Sequence, residues 1–403
     1  MNALMSRIRE GRINPAVDAV CAVVPWLREQ AGRIEKERRI PPDVLERLAE
    51  TGLFRMAIPR RHGGLGLALD HIWEAVLAVG EACASCGWIA GLGSANLLML
   101  GKFSDEAQAE VFRGSQPVIV PVLTGGVGRN LQVELCDTGL YLSGEWRYAS
   151  GIDVATWVAL LIEIPDVGGG CAQQHVVLVP QKEFVIDHDS WHVLGMRGTG
   201  SKNVALSRAF VPAHRCMSWS IMQQGGKHPH SRNQEPIYSS PVNQLFMMSG
   251  LAAVLGTACG VAHEFRQLVM NRIRAATRMR QIDEPVSQID VAAGTATMQM
   301  LCDTLLLEAR RFELTLAERG AIELEERAAL RMRLVVALRQ AVSSAQRMFA
   351  ACGGSLLPEG SVMERLFRDL HAMSTHFLFQ PEPIGELYGR MLLGLEVPPG
   401  ARI

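Results

Sequence analysis

Neither sign of charge predominates in this 403-residue sequence, which has 40 lysines and arginines, 41 aspartates and glutamates, and a formal net charge of −1. Without a basic field there is nothing to attract a nucleic acid or another polyanion. The sequence also has no G-x-G-x-x-G and no P-loop motif, which argues against a nicotinamide or nucleoside-triphosphate site. We therefore expect no nucleic-acid partner.

Long hydrophobic runs are scarce as well. The first 17 residues, MNALMSRIREGRINPAV, lack the unbroken apolar stretch of a signal peptide. The longest apolar run, at about residues 251–262, is too short to span a bilayer. These features predict a cytoplasmic protein without a membrane partner.

The nine cysteines are odd in number and follow no disulfide framework, which fits a reducing compartment. Cys83 and Cys86 form one C-x-x-C, a spacing that also occurs in redox pairs and in halves of metal sites. No second pair or suitably spaced histidine completes such a site. We interpret the two as small buried thiols on one helix face and predict no metal site.

The pattern of apolar residues divides the chain into segments. A helical period through residues 1–116 predicts an N-terminal all-α domain. From residue 117 the period changes to two, in runs such as PVIVPVL, LYLSGEWRYAS and HVVLVP, and predicts a middle β domain, a barrel or sandwich, that ends at residue 218. Residues 219–240 are a polar loop or linker, and loops of that length are usually mobile lids or linkers, on which the shape of a pocket would depend.

Long helical patterns then follow at about 241–276, 286–318, 324–352 and 361–394, and predict a four-helix bundle over residues 241–403. The fold class is therefore α+β, with a β domain between two helical domains, and crevices between domains are common positions for ligand sites. The broad apolar faces of such a bundle would be exposed in a monomer. We expect a homotetramer or a homodimer built through it.

Four stretches resemble motifs of the acyl-CoA dehydrogenase superfamily: GWIAGLGSAN at 87–96, GEWRYASGIDVATW at 144–157, GMRGTGSKNV at 195–204 and GGSLLPEGSVMERLFRDLHAMSTH at 353–376. Within that superfamily the chain is similar to the two-component flavin-dependent monooxygenases, such as the oxygenase component of p-hydroxyphenylacetate hydroxylase. The resemblance covers nearly the whole chain and implies the fold of the superfamily. It also implies a flavin, which needs an apolar wall, donors at its polar edges and cations at its phosphate.

The motifs assign candidate residues to that flavin. Strand alternation would place Trp146, Tyr148 and Ser150 on one face, as two walls and a hydroxyl that holds flavin N5. Thr124 resembles the hydroxyl at the pyrimidine end, although the acidic and Pro signature around it is missing. The remaining cofactor candidates belong to the glycine-rich loop and to the phosphate region: Thr199, Ser201, Arg278, Arg280, Gly353 and Gly354.

Each assignment has a plainer alternative. The GMRGTGS stretch also fits a structural β-turn in which Arg197 pairs with an acidic neighbour. Arg278 and Arg280 also fit ordinary solvated helix charges, and Trp146 with Ser150 also fits a half-buried strand with a surface hydroxyl.

The C-terminal stretch distinguishes between reaction types. Acyl-CoA dehydrogenases commonly abstract a proton with a Glu at a fixed interval after the RD pair, where this chain has Phe377 or a neighbour. An apolar ring accepts no proton, and Glu382 is the only nearby substitute. In the monooxygenase branch a His at this place lies near the reactive edge of the flavin, and His376 matches it. Its unperturbed pKa of about 6.5 would let it accept a phenolic or amine proton.

A second catalytic position departs from the family. Many relatives have a His where this chain has Asn96, which forms hydrogen bonds but exchanges no proton at neutral pH. Either His376 works alone or the substrate needs less deprotonation. His371, five residues before His376, would lie on another face of the same helix, and we interpret it as a packing residue.

The resemblance thus implies an oxygenase component whose catalytic residues are His376, Ser150 and Asn96. It would take reduced FMN or FAD from a separate flavin reductase, bind O2 as a C4a-hydroperoxyflavin and hydroxylate a small aromatic or heteroaromatic molecule. The alternatives are N- or S-oxygenation with the same intermediate, a desaturase that keeps FAD bound, and a non-catalytic subunit that assembles with an active paralogue.

Overall fold

The computed structural model describes residues 14–114, 117–165, 171–274, 278–354 and 357–398. Helices precede and follow a block of strands, as predicted. The N-terminal helices are α1 (Pro15–Glu37), α2 (Pro42–Glu50), α3 (Leu69–Ala82), α4 (Ala84–Leu100) and α5 (Asp105–Val111). Prolines occupy the first turns of α1 and α2, where no intrahelical partner is lost.

Cys86 lies in the first turn of α4, whereas Cys83 is the extended N-cap residue before it, so the two do not share a helix face; both thiols are buried and free. Their interpretation as buried packing residues is confirmed.

The middle domain contains two four-stranded sheets. One has the order β1-β4-β5-β8 and is antiparallel except for its β1–β4 pair, and the other has the antiparallel order β2-β3-β7-β6. The indole nitrogen of Trp146 on β3 donates to the carbonyl of Leu161 on β4 at 3.1 Å and so joins the two sheets. The strands are β1 (Val122–Leu123), β2 (Arg129–Cys136), β3 (Gly139–Ala149), β4 (Trp157–Ile164), β5 (Gln173–Pro180), β6 (Phe184–Asp187), β7 (Lys202–Pro212) and β8 (Cys216–Ser218).

The C-terminal part is again helical, and the predicted α+β class is confirmed. Its helices are α6 (Trp219–Gln223), α7 (Val242–Asn271), α8 (Pro285–Arg319), α9 (Leu324–Cys352), α10 (Val362–Ser374) and α11 (Pro381–Leu392). The single helix predicted over 361–394 is wrong, because Pro381 disfavours the helical conformation at the residue before it, Gln380, which is extended. A 3-10 turn, Phe377–Phe379, lies at the break, with His376 at its N-cap.

Residues 219–240 were expected to be a loop or linker on which the shape of the pocket depends, but none of them lines the cavity described below. The buried ammonium of Lys102 donates to the carbonyl of Tyr238 at 2.8 Å. The amide of Asn233 donates to the carbonyl of Gly101 and to Oε1 of Gln108, both at 2.8 Å. The polar side chains that resemble a solvated loop instead fasten the segment to the end of α4, and none of its residues lines the main cavity.

Helix α7 is the centre of the molecule, since α3, α4, α8, α9 and α10 all pack against it. By length and composition it could cross a membrane, but 94% of its most apolar window is buried inside the protein. The apolar helix, Val242–Asn271, is therefore longer than the run of about residues 251–262 counted from the sequence, and the surrounding helices cover it.

Glycines set the distance between α7 and its neighbours. A Cβ at Gly256 would lie 2.6 Å from the carbonyl oxygen of Leu77 and 3.0 Å from the Cα of Gly80. A Cβ at Gly91 of α4 would lie 2.7 Å from the carbonyl oxygen of Ser249 on α7. At these crossings the helices meet backbone to backbone, and no larger residue fits.

Replacing Gly256 by Ala should therefore destabilise the fold, by about 1–3 kcal/mol, because the added methyl group must push α3 and α7 apart. Gly93→Ala is the matched control, since a Cβ at this α4 glycine meets nothing within 4 Å. We expect the control to be neutral or stabilising by about 0.5–1 kcal/mol through its lower entropy cost. Urea denaturation followed by circular dichroism measures both, and equal stabilities would contradict the packing argument.

Candidate active site

A cavity of about 490 Å³ lies where α4, α7, the start of β2, the end of β3 and the segment after α10 meet. Its apolar wall consists of Leu92, Val122, Leu123, Phe246 and Leu378. Asn96, Thr124 and His376 are among the polar side chains that line the same space. Apolar walls with a few convergent polar groups are typical of small-molecule sites.

His376 is held by the turn at the break between α10 and α11. Its ring packs edge-on against Trp88, with centroids 5.2 Å apart, and against Phe377 at 4.6 Å. Burial lowers its pKa to about 4, so that the imidazole is neutral at pH 7. The unperturbed pKa and the helical position expected from the sequence are both wrong.

The tautomer of His376 follows from its neighbour. Nδ1 accepts a long hydrogen bond, 3.4 Å, from the backbone N–H of Leu378. An acceptor Nδ1 favours the neutral form that carries its hydrogen on Nε2. In this form, His376 has an N–H donor at Nε2, and its lowered pKa makes it a weak base.

Asn96 is buried on α4, and its amide nitrogen donates to the carbonyl of Val120 at 2.8 Å. This bond fixes the side chain and leaves Oδ1 as an acceptor. His376 and Asn96, assigned together from the sequence, do line one cavity. A donor and an acceptor are thus placed around the same space.

The alternation predicted for Trp146, Tyr148 and Ser150 is wrong. The register between β3 and β7 shifts between Trp146 and Ala149, and Tyr148 takes a left-handed φ of 68°. The bulge turns Trp146 inward, 3% exposed, whereas Tyr148 is 67% exposed and lines the cavity opening. Ser150 follows the strand instead of belonging to it.

Ser150, Thr199 and Ser201 form a chain of hydroxyls. The oxygens of Ser150 and Ser201 are 2.8 Å apart, those of Ser201 and Thr199 are 2.6 Å apart, and Thr199 donates to the carbonyl of Met196 at 2.8 Å. None of the three lines the cavity. Their direct contact with a flavin stays a prediction.

Arg197 fits its structural alternative. Its Nε donates to the carbonyl of Val193 at 3.0 Å, and its guanidinium lies 3.7 Å from the carboxylate of Glu35.

The turn after β1 forms one wall of the cavity. Thr124 is half-buried there, and Gly125 follows it. A Cβ at Gly125 would lie 3.2 Å from the ring of Phe377, so a side chain at this position would press on the opposite wall. The glycine turn and the exposed ring of Tyr148 leave space for a flat ring system, and the Thr124 hydroxyl is a partner for its polar edge. These residues fit a flavin ring.

The residues predicted for the flavin phosphate lie elsewhere. Arg278 and Arg280 are exposed in a turn after α7, Gly353 and Gly354 are exposed after α9, and none of them lines the cavity. The guanidinium of Arg272 donates to the carbonyl of Cys352 and so joins the two segments. Within one chain, the segments that carry the two arginines and the two glycines are therefore connected to each other, but they do not reach the cavity in which the flavin ring would bind.

Carboxylates are scarce in the cavity. Glu382, the one nearby substitute for a dehydrogenase base, is exposed on α11 and does not line it. Among the described lining residues Glu145 is the only acid, and it lies with Arg129 and Arg147 where the side chains are exposed. Throughout the described ranges, no group of three or more His, Cys, Asp or Glu is arranged to hold a metal ion.

Sequence reasoning missed several residues of the site. Phe246 comes from α7, whose apolar residues surround the whole helix and give no face to choose. Glu145 and Arg147 lie in the GEWRYASG stretch but were given no role, and Arg129 belongs to no motif. Trp88 lies in the GW stretch quoted above, which was the one signal available for it.

Comparisons with known proteins agree with this geometry. Family models described as "Acyl-CoA dehydrogenase, N-terminal domain" and "Acyl-CoA dehydrogenase, C-terminal domain" match residues 22–112 and 248–381. The flavin-dependent monooxygenase oxygenase subunit HsaA of Rhodococcus jostii is 30% identical over 93% of this chain and 97% of its own. The FADH(2)-dependent resorcinol hydroxylase oxygenase component of a Rhizobium species is 29% identical over 94% of each chain.

Solved structures extend the comparison. The 3-HSA hydroxylase of Rhodococcus sp. RHA1 superposes with a TM-score of 0.88 at 28% identity, over 96% of this chain and 98% of that one. The HsaA monooxygenase of M. tuberculosis superposes with a TM-score of 0.87 at 26% identity, over 95% and 98%. The resemblance stated from the motifs is confirmed: the chain belongs to the acyl-CoA dehydrogenase superfamily, in its branch of flavin-dependent monooxygenase oxygenase components.

Proposed function

We propose that this monooxygenase hydroxylates a small aromatic or heteroaromatic molecule that carries a hydroxyl or an amine, with reduced FMN or FAD delivered by a separate flavin reductase. The observation that carries the proposal is the convergence of His376 and Asn96 on an apolar cavity of about 490 Å³. Relatives named as a resorcinol hydroxylase and a p-hydroxyphenylacetate 3-hydroxylase support the aromatic class. The lack of a nicotinamide motif supports a separate reductase.

The bound reduced flavin supplies the electrons that activate O2. The glycine turn at 125–126 and the ring of Tyr148 would bind the flavin ring, with Thr124 at its polar edge. Phe246, Leu92 and Leu378 would exclude water from the reacting side of the cavity, which protects a reactive oxygen species from side reactions.

His376 and Asn96 would orient the substrate. The Nε2–H of His376 would donate to the substrate oxygen and stabilise the negative charge that develops there, while Oδ1 of Asn96 would accept a hydrogen bond from the substrate hydroxyl or amine, which keeps its proton. This role replaces the proton abstraction by His376 that an unperturbed pKa would allow. It suits an acidic phenol, an amine or an indole, which need little deprotonation.

The alternative reactions are less well supported. A desaturase needs a carboxylate base at the reacting carbon, and Glu382 is outside the cavity. N- and S-oxygenation would use the same residues, so C-hydroxylation is favoured by the names of the relatives alone.

We also propose a homo-oligomer, a tetramer or dimer, that is formed through α8. Exposed apolar residues recur on that helix every seventh position, at Val286, Ala293, Met300, Leu307 and Leu314. Apolar residues spaced seven apart form a line along one side of the helix. Two helices that supercoil pack along such a line, so this face of α8 could pack against the same face of a second copy. We propose a cytoplasmic location, since the nine cysteines are odd in number and follow no disulfide framework.

The proposed reaction is tested by mixing the protein anaerobically with reduced FMN and then with oxygenated buffer and a panel of phenols, anilines and indoles. We expect a product with one oxygen atom from O2 for each reduced flavin consumed. Transient absorbance distinct from reduced and oxidised FMN should precede the product. Bleaching of bound FAD by an acyl-CoA, without O2 consumption, would support the desaturase instead.

His376→Ala should lower kcat/KM for hydroxylation roughly ten- to a hundredfold, the value of a hydrogen bond to a developing negative charge. His376→Gln keeps an N–H donor and should recover part of that loss. Because burial lowers the pKa of His376 to about 4, the histidine stays neutral above that pH. The pH profile of the wild-type kcat/KM should therefore have no inflection near 6.5, and one that disappears in His376→Gln would contradict the donor role.

The double substitution Leu307→Glu and Leu314→Glu should dissociate the oligomer, because two buried carboxylates per copy would repel across the stripe. Analytical ultracentrifugation measures the change in mass. Val185→Glu, on a valine of β6 that is 72% exposed, is the control and should leave the mass unchanged. An unchanged mass in the double variant would exclude α8 as the interface.

A further inference from the structure

The loop of residues 194–201 is fastened to α10 by two adjacent side chains. Oδ1 of Asp369 accepts a hydrogen bond from the backbone N–H of Met196 at 2.6 Å. The guanidinium of Arg368 donates to the carbonyl of Leu194 at 2.7 Å. A Cβ at Gly195 would lie 2.5 Å from the carbonyl oxygen of Arg368, so the loop backbone lies directly on the helix.

Met196 itself needs this support. Its φ of 58° lies in the left-handed region, which residues with a Cβ rarely adopt. Such a conformation persists where surrounding contacts impose it. The carboxylate of Asp369, 5% exposed, holds the amide of that residue.

One path leads from the loop to Ser150. Thr199 donates to the carbonyl of Met196 at 2.8 Å, and its hydroxyl is 2.6 Å from that of Ser201. The Ser201 hydroxyl is 2.8 Å from that of Ser150. The position of the Ser150 hydroxyl thus depends on the conformation at Met196.

A second path leads to the cavity opening. The carbonyl of Arg197 accepts a hydrogen bond from the indole nitrogen of Trp191 at 3.0 Å. The ring of Trp191 meets the ring of Tyr148 edge-on, with centroids 6.3 Å apart. Tyr148 also has a left-handed φ and is 67% exposed. The position of its ring therefore depends on the contact with Trp191.

We propose that Asp369 is a positioning residue of this monooxygenase, which acts through the 194–201 loop to place the Tyr148 ring at the opening of the cavity and to hold the Ser150 hydroxyl that follows it in the sequence. Asp369 does not line the cavity and therefore does not touch the reacting atoms. The inference rests on the proposed function, because it assigns the flavin to the part of the cavity that Tyr148 borders.

The choice of an acid at this buried position supports the proposal. Burial raises the pKa of Asp369 to about 6. The titratable and charged groups around Asp369 and its immediate neighbours come from α1, the N-terminus of α4, α10 and the loop: Glu35, Cys83, Glu364, Arg365, Arg368 and Arg197. An ionised carboxylate accepts a stronger hydrogen bond than a neutral acid. The loop should therefore loosen as the pH falls through about 6.

Global stability has the opposite dependence on this group. A carboxyl whose pKa is raised on folding contributes stability below its unfolded pKa and loses it as the pH rises through about 6. Loop order and overall stability thus respond to Asp369 in opposite directions, which separates positioning from folding.

The experiment compares Asp369→Ala with Asp369→Asn in the full chain. Asn keeps an oxygen acceptor for the Met196 amide, whereas Ala removes it. We expect Asp369→Ala to weaken binding of oxidised FMN, measured by quenching of its fluorescence, by about tenfold, the effect of one lost hydrogen bond. Amide hydrogen exchange of residues 192–201 should accelerate by a similar factor. Asp369→Asn should lie between the wild type and Asp369→Ala in both measurements, because a neutral acceptor keeps the hydrogen bond but forms a weaker one.

The pH dependence adds a signature that a merely structural role would not produce. Wild-type FMN affinity and loop protection should fall between about pH 7.5 and pH 5, and Asp369→Asn should lack that change. In turnover, Asp369→Ala should divert O2 to H2O2 with little change in the KM of the substrate. Thr199→Val leaves Asp369 in place, breaks the path to Ser150 and should divert O2 in the same way.

The outcomes are distinct. If Asp369→Ala lowers the melting temperature but leaves FMN affinity, loop exchange and coupling unchanged in the folded protein, the proposal is overturned. If Asp369→Ala does not fold, the pH response of Asp369→Asn and the coupling of Thr199→Val decide it. If the wild type forms no hydroxylated product, the proposed function fails, while FMN affinity and loop exchange still test the positioning role.

Discussion

Backbone contact between α7 and its neighbours α3 and α4 is the constraint on which the site depends. Gly80, Gly91 and Gly256 let these helices approach until main-chain atoms touch. The contact fixes α4, which carries Trp88 and Asn96, against α7, which carries Phe246. Since interiors packed this closely transmit small displacements, the dimensions of the cavity are set by residues that lie outside it.

Under the proposed function, the site would activate its substrate by hydrogen bonding in an apolar space with little formal charge. The imidazole of His376 is kept neutral by burial, which lowers its pKa, and its tautomer is set by a backbone amide. Charged side chains are confined to the exposed rim, at Arg129, Glu145 and Arg147. An interior of this kind strengthens each dipole directed at the substrate, because few competing water molecules screen it.

Sequence patterns predicted the three-part order of the chain and placed His376 and Asn96 at one site, because motifs and hydrophobic periods are local. What they could not predict depends on long-range contacts. The bulge that separates Trp146 from Tyr148 comes from pairing with β7, and the lowered pKa of His376 comes from burial by Trp88 and Phe377. The buried hydroxyl chain of Ser150 and Ser201 likewise joins residues from separate motifs, and no single motif shows that neither hydroxyl lines the cavity.

The segment of residues 219–240 connects the β domain to the helical bundle and also caps a helix. Asn233 and Ser231 both donate to the carbonyl of Gly101, at 2.8 and 3.1 Å, where α4 ends. An orphan carbonyl at a helix end needs such donors, so this connecting segment is the cap of the helix that bears Asn96. For protein engineering, its polar and glycine-rich composition would recommend it as a place for a tag or a grafted domain. An insertion there would instead uncap the helix at one end of the catalytic cavity.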